Sequence, residues 1–348
     1  MSIVYDFKEN IKKEELDEIS KNINNGELVV FPTETVYGIG ADATNELAVK
    51  KIFEAKGRPQ DNPLIVHISN FEMLKNLVYE PTETEKLLMD TFWPGPLTII
   101  LKSRKTLPNA VTANLDTVGI RMPDNNIALN IIEASKTPIA APSANVSGKP
   151  SGTELCDIYN ELKEKVNIFV DGGKTNIGVE STVLKVDENN VVNILRPGMI
   201  SVEDIKKIGL EVKLDKHIFQ DVKENEKVES PGMKHRHYAP NTETILLEFF
   251  DDDVMINKVK EYKNKNLNKK IGIICFGEHE QLYKNMGIMC ITIGSKDNLM
   301  EISRNIFSYL RKIDEFGLDI CIIEGVKKEY IGTAIMNRLI RACQYNIL

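Results

Sequence analysis

Leu28-Val29-Val30-Phe31, followed at once by Pro32-Thr33-Glu34-Thr35-Val36-Tyr37-Gly38, is the stretch on which the fold turns. Four consecutive apolar residues closed by a proline make a strand-sized run, and two hydroxyls and a carboxylate stand where the chain leaves it. Helical patterns lie on either side, over 11–24 and 45–56, and a further strand is expected at 64–68. Strand and helix therefore alternate, the rhythm of an α/β protein. Onward from there the apolar runs at 97–102, 118–122, 139–141, 168–170, 182–186 and 191–195 read as strands, with helices at 127–135 and 154–163. Late in this stretch strands outnumber helices, so the sheet is expected to be mixed.

The composition shifts near 213–240. Residues 213–230 are charged and poor in apolar side chains, as an exposed connector would be. Residues 230–240 are unusual for a linker: Lys234, Arg236, two imidazoles and Tyr238 crowd between two prolines, which suits a segment that touches a ligand. Beyond it, strands at 245–249, 271–276, 288–293 and 320–324 alternate with helices at 254–262, 281–286 and 299–316, the pattern of a parallel, doubly wound domain. The expected organisation is a catalytic domain over 1–212, a linker or lid over 213–240, and a smaller Rossmann-like α/β domain over 241–348.

The bulk properties narrow the class. The chain has 348 residues, 42% hydrophobic and 27% charged, which excludes disordered and fibrous classes. No apolar run approaches the ~20 residues of a membrane helix, and the opening residues lack a basic region followed by an apolar core. Five scattered cysteines without a CxxC pair oppose a disulfide framework or zinc site and suit the cytoplasm. The net charge of −7 lies wholly in residues 1–240, because residues 241–348 carry 15 cations and 15 anions. That balance opposes sequence-independent nucleic-acid binding, though not a local basic cluster for a small anion.

Two fragments imitate nucleotide loops. Gly173-Lys174-Thr175 resembles the end of a P-loop, but Ile168 stands where its first glycine is required. Gly38-Ile39-Gly40-Ala41-Asp42-Ala43 fits a dinucleotide fingerprint, yet six residues separate it from the preceding strand. His235 and His237 have neither a third ligand nor a common metal spacing, so no metal site is expected.

Four polar segments of the first domain carry the chemistry. Besides Thr33–Glu34–Thr35, Lys56-Gly57-Arg58 ends a helix and Asn62 leads into the next strand, an arrangement able to clamp a polyphosphate. Ala141-Pro142-Ser143-Ala144-Asn145 with Ser151 supplies small residues and short-range donors. Gly178-Val179-Glu180-Ser181-Thr182 and Arg196-Pro197-Gly198 complete a set suited to anions and hydroxyls.

The motifs together resemble the YrdC-type threonylcarbamoyl-adenylate synthases in their long two-domain form. They are PTETVYGIG (32–40), KGRPxxNPL (56–64), FWPGPLT (92–98), VGIRMP (118–123), PSANxSGxPSGT (142–153), ESTV (180–183), LRPGMIS (195–201) and SPGMKHRHYAP (230–240). One departure is His235, where such proteins often carry an aromatic residue. The resemblance implies a reaction in which L-threonine, bicarbonate and ATP give threonylcarbamoyl-AMP and pyrophosphate. That is the first step of threonylcarbamoyl-adenosine formation at position 37 of tRNAs, with the product passed to a separate transferase complex and no need to grip tRNA directly.

By motif position the resemblance puts Lys56, Arg58, Ser143 and Asn145 at the reacting phosphates. Arg58, Asn62, Thr117, Ser143, Ser151, Arg196 and Tyr238 would hold ATP. Thr35, His67, Arg121, Ala141 and Ser181 would surround threonine, Arg121 facing its carboxylate, and magnesium would arrive on the triphosphate. Two other readings stand beside it: a double-stranded RNA-binding module, and a carbamoyltransferase acting on another acceptor.

Overall fold

The structure is a computed structural model, and it describes residues 2–220 and 238–348. These fall into two compact units, one built from 2–147 and 151–220, the other from 148–150 and 238–348.

The first unit is organised by eleven strands in one mixed sheet: β1 (Ile3–Asp6), β2 (Val29–Pro32), β3 (Tyr37–Asp42), β4 (Ile65–His67), β5 (Leu97–Lys102), β6 (Thr117–Arg121), β7 (Ile139–Ala140), β8 (Ile168–Asp171), β9 (Thr182–Val186), β10 (Val192–Arg196) and β11 (Val212–Leu214). Their order across the sheet is β1-β8-β2-β3-β7-β4-β6-β5-β9-β10-β11. β2 runs parallel to β8 and antiparallel to β3, so the expectation of a mixed sheet holds.

Period-two alternation explains why both faces are covered. Along β2, Val29 and Phe31 join a core with the helices Lys13–Asn24 and Asn126–Ser135, while Val30 joins a second core with the helix Glu46–Lys56. Each fully buried Val, Ile or Phe contributes about 1.5–3 kcal/mol of transfer free energy, so the two apolar layers fix the sheet and the strand ends that carry the polar motifs.

The two imitations of nucleotide loops fold as neither, and one expectation, the start of the connector, needs correction. The dinucleotide-like glycines lie inside β3, a strand paired antiparallel with β2, and no strand-to-helix turn is formed there. Gly173 sits in a turn with positive φ. The connector does not begin at 213. β11 pairs in parallel with β10, and Ile218 is buried in the second core, with Val30. Lys213 and Leu214 of β11 are exposed at the sheet edge, which is why the segment imitates a linker. The segment 221–237, with His235 and His237 and most of the expected lid, lies outside the described residues.

The second unit has four strands, β12 (Glu243–Leu247), β13 (Ile271–Phe276), β14 (Met289–Gly294) and β15 (Ile320–Glu324), all paired in parallel in the order β12-β15-β13-β14. Its strands and most of its helices fall where the sequence rhythm put them. The helix Ile331–Ala342 was not anticipated, because the buried Asn337, Arg338 and Arg341 interrupt its apolar face.

Candidate active site

Strand register brings the polar motifs together. β4 and β6 pair so that His67 stands beside Arg121, and β3 is extended by the loop after β7 through the bridge between Gly38 and Ser143. The Ile39 N–H donates to the Pro142 carbonyl at 3.0 Å and the Ala144 N–H to the Tyr37 carbonyl at 2.7 Å. Ala141 donates its N–H to Ile65 on β4 at 3.0 Å. The turn at 33–36 is held by its own hydroxyls, Thr33 Oγ1 lying 2.8 Å from Thr35 Oγ1, and by N–H groups of Ile177 and Gly178 on the carbonyls of Glu34 and Thr35.

Lys56 is the most unusual side chain of the loop side. It is 2% exposed, and its ammonium donates to the main-chain carbonyls of Ser143 and, at 2.7 Å, Asn145. It sits there because its helix stops: Asn45 caps the N-terminus and Gly57 takes the left-handed conformation that ends the last turn, φ +61°. The cation so placed pins the 142–148 loop, while Ser143 Oγ donates to Asn145 Oδ1 at 2.6 Å. Arg58 reaches the Pro63 carbonyl at 3.1 Å, folding the 58–63 loop back on itself.

On the strand side, Arg121 is 4% exposed and Glu34 is 5% exposed. Their charged groups approach to 2.6 Å, and Arg121 also donates to Thr35 Oγ1 at 3.0 Å and to the Gly95 carbonyl at 3.3 Å. His67 is buried beside them; loss of hydration, reinforced by the Arg121 charge, pushes its imidazole down to about 3, so it is neutral. Ser181 is fixed by Thr98 Oγ1 at 2.8 Å and by Arg196, whose Nε and Nη2 reach its carbonyl at 3.1 and 3.0 Å. Gly198 makes that approach possible, since a Cβ there would lie 2.3 Å from the Thr182 nitrogen. Ser151 donates to Glu180 at 2.6 Å.

Buried polar atoms normally find partners. Here both carboxylate oxygens of Glu34, Arg121 Nη2, His67 Nδ1 and Asn62 Oδ1 are buried without an aligned hydrogen-bond partner among the described residues. The imidazole, guanidinium and carboxylate of His67, Arg121 and Glu34 lie together, a cluster prepared for a polar ligand. The arrangement can bind anions and hydroxyls, hold an ammonium group, and exclude water.

Of the residues singled out from sequence, Lys56, Ser143 and Asn145 are joined directly, as are Thr35 with Arg121 and Ser181 with Arg196. Ala141 and His67 reach the same strand ends through β4. Thr117 opens β6 opposite Lys102, partly exposed, and no hydrogen bond among the described residues ties its side chain to the others. Tyr238 lies in the second unit, its ring 5.0 Å from that of Phe307. Thr98 and Glu180 escaped notice as partners. The signal for Thr98 is one hydroxyl inside the apolar run Leu97–Leu101.

A mixed-sheet α/β unit with a buried polar site, followed by a parallel α/β unit, defines a two-unit α/β protein, and comparison makes the class specific. Residues 21–198 match the family model described as "Telomere recombination", and residues 200–344 match "Threonylcarbamoyl-AMP synthase, C-terminal domain". Threonylcarbamoyl-AMP synthase of Pyrococcus abyssi is 43% identical over 350 residues, covering 100% of this chain and 99% of the relative. That of Bacillus subtilis is 42% identical, over 92% and 90% of the two chains. The crystal structure of P. abyssi Sua5 complexed with L-threonine superposes with a TM-score of 0.90 at 41% identity, covering 100% of this chain and 99% of that one. The chain belongs to the threonylcarbamoyl-AMP synthase family, whose members transfer an adenylyl group.

Proposed function

We propose that the chain synthesises threonylcarbamoyl-AMP from L-threonine, bicarbonate or carbon dioxide and ATP, releasing pyrophosphate. Its product would be the first intermediate of threonylcarbamoyl-adenosine at position 37 of tRNAs. The observation that carries this reading is the buried polar cluster of Glu34, Arg121 and His67 with Thr35, in a chain so similar to a protein whose crystal structure contains threonine.

In this reading Arg121 faces the amino-acid carboxylate, while neutral His67, Thr35, Ser181 and the Ala141 backbone surround the rest. The neutral threonine amine adds to carbon dioxide with loss of a proton, or to bicarbonate with loss of water, and an oxygen of the resulting carbamate then attacks the α-phosphorus with pyrophosphate leaving. Two anions must meet, so orientation and charge neutralisation supply most of the acceleration. Lys56 acts by fixing the Ser143–Asn145 loop, with its charge directed at the same place. Arg58 and Asn62 face the phosphates, Ser143, Ser151 and Arg196 lie along the nucleotide, and Thr117 and Tyr238 remain assigned to it by motif position alone.

Among the described residues no group of three His, Cys, Asp or Glu side chains could cage a metal. Magnesium would arrive with the nucleotide, held by phosphate and water, and would supply charge neutralisation there. No helix among the described residues is long and apolar enough to cross a membrane, and all five cysteines are free thiols, which suits the cytoplasm as the place of work. The product would pass to a tRNA threonylcarbamoyl-transferase complex.

Pyrophosphate release from ATP tests the reading. Release should need both threonine and bicarbonate, with mass spectrometry identifying the acylated adenylate. Release indifferent to either cosubstrate overturns it.

A further inference from the structure

Glu34 has no part in the mechanism above, yet it is the most conspicuous buried charge of the site. Its carboxylate lies 2.6 Å from the Arg121 guanidinium, and both side chains are all but closed to solvent. The contact is a single ion pair through Nη2 and Oε2, and neither oxygen of Glu34 is aligned with an N–H or O–H donor among the described residues. A carboxylate placed only to orient an arginine would be expected to take the forked, doubly hydrogen-bonded geometry that the two groups favour. Here the guanidinium is oriented by other acceptors, Thr35 Oγ1 and the Gly95 carbonyl, so Glu34 is not needed for that.

What Glu34 does supply is charge. With Arg121 alone, a site of low dielectric would attract any anion. With Glu34 beside it the pair is neutral, and His67, kept uncharged by burial, adds nothing to the balance. A neutral pair of opposite charges matches a ligand that is itself a neutral pair. An α-amino acid is such a ligand, its carboxylate and ammonium separated by a single carbon. A monoanion of the same shape would meet the guanidinium and the carboxylate together and gain little from the first that it does not lose to the second.

We propose that Glu34 sets the charge selectivity of the amino-acid site: the Glu34–Arg121 pair admits a zwitterion and rejects the corresponding monoanion. This rests on the reading that threonine binds at Arg121. It also makes chemical sense of the reaction, because only a ligand bearing the amine can become a carbamate.

Calorimetric titration of the full chain with L-threonine and with its des-amino counterpart, 3-hydroxybutanoate, provides the test, using a non-hydrolysable ATP analogue to report on the rest of the site. The wild type should prefer threonine by tenfold or more. In Glu34→Gln the preference should cross: threonine binds about tenfold more weakly and 3-hydroxybutanoate about tenfold more tightly, as expected when a close charge pair is removed from a partly desolvated site. Glu34→Asp, which keeps the charge, should retain the wild-type order. A merely structural role would weaken both ligands together in Glu34→Gln, and that outcome, or no change in either, overturns the proposal. If Glu34→Gln does not fold, the wild type decides by itself, since equal affinity for the two ligands is incompatible with a selective pair. Failure of the wild type to bind threonine at all would overturn the proposed function instead.

Discussion

Two histidines, one in each unit, are buried to the same degree and live in opposite electrostatic surroundings. His67 is 3% exposed and His279 is 2% exposed. Burial and the neighbouring Arg121 drive the His67 imidazole down, whereas the hydrogen bond to Glu324, with the charges of Glu324 and Asp252, raises that of His279. Around His279 the polar groups converge on the Glu324 carboxylate. Glu324 takes the Tyr283 hydroxyl at 2.6 Å and the Phe276 N–H at 2.7 Å, and His279 Nδ1 lies 2.7 Å from the same carboxylate while Nε2 faces Asp252 at 3.3 Å. Each imidazole keeps one nitrogen without an aligned partner, Nε2 in His279 and Nδ1 in His67, so the difference lies in the carboxylates: beside His67 neither oxygen of Glu34 takes an aligned hydrogen bond among the described residues. The difference separates architecture from site. A buried network whose central carboxylate is saturated rigidifies a fold, and one left open is completed by a ligand.

Breaking the comparison is most direct at Lys56. Lys56→Ala removes the cation that holds the Ser143–Asn145 loop, and threonine-dependent pyrophosphate release should fall by about 10³-fold, the scale of losing a preorganised charged contact. Wild-type turnover in that variant would place the chemistry elsewhere and dissolve the distinction.

The two imidazoles should also respond to pH with opposite signs. The His67 value in the folded chain, about 3, lies below the ordinary 6.5, so its contribution is fully present above pH 6.5 and is lost as pH falls. Between pH 6.5 and 5 the first unit should lose about 2 kcal/mol, since the unfolded chain alone gains the proton. His279 is raised, so its contribution is present below about pH 6.5, the ordinary value, and is lost as pH rises through the folded value. Hydrogen exchange read by mass spectrometry across this range resolves the two units. His67→Asn should flatten the first slope and His279→Gln the second, and slopes of the same sign in the wild type would refute the assignment.

The smallest effect expected is at Tyr283. Tyr283→Phe removes one buried donor to Glu324 and should cost the second unit about 1 kcal/mol in denaturant titrations, leaving pyrophosphate release unchanged. A loss of turnover without a loss of stability would move the His279 cluster from architecture to site.

Much of this was legible in the chain. The apolar runs at Leu97–Lys102, Thr182–Val186, Ile271–Phe276 and Ile320–Glu324 became strands with the expected bounds. β3 was hidden because Tyr-Gly-Ile-Gly-Ala-Asp carries two glycines, poor strand formers that copy a nucleotide fingerprint. The helices Phe71–Leu77 and Glu83–Phe92 were passed over because charged residues crowd their exposed faces. Within the site, Lys56, Asn145, Thr35, Arg121 and Ser181 could be singled out by motif, but their partners could not. Arg121 meets Glu34 and Thr35 across more than 80 residues, Thr98 meets Ser181 across 83, and Lys56 meets Asn145 across 89.

By itself, then, the sequence determined the local elements, the two-unit α/β organisation and the set of polar motifs, because period-two and helical patterns, caps and glycine stops act over a few neighbouring residues. Only the tertiary structure decided which of those polar groups stay open. The register of β4 against β6 and β7, and of β3 against the 142–144 loop, sets which donors meet which acceptors. Such pairings join residues far apart in the chain, so they leave no trace in any local pattern. That is why Glu34 read as one polar residue at a strand exit, and stands in the fold as half of a buried neutral pair.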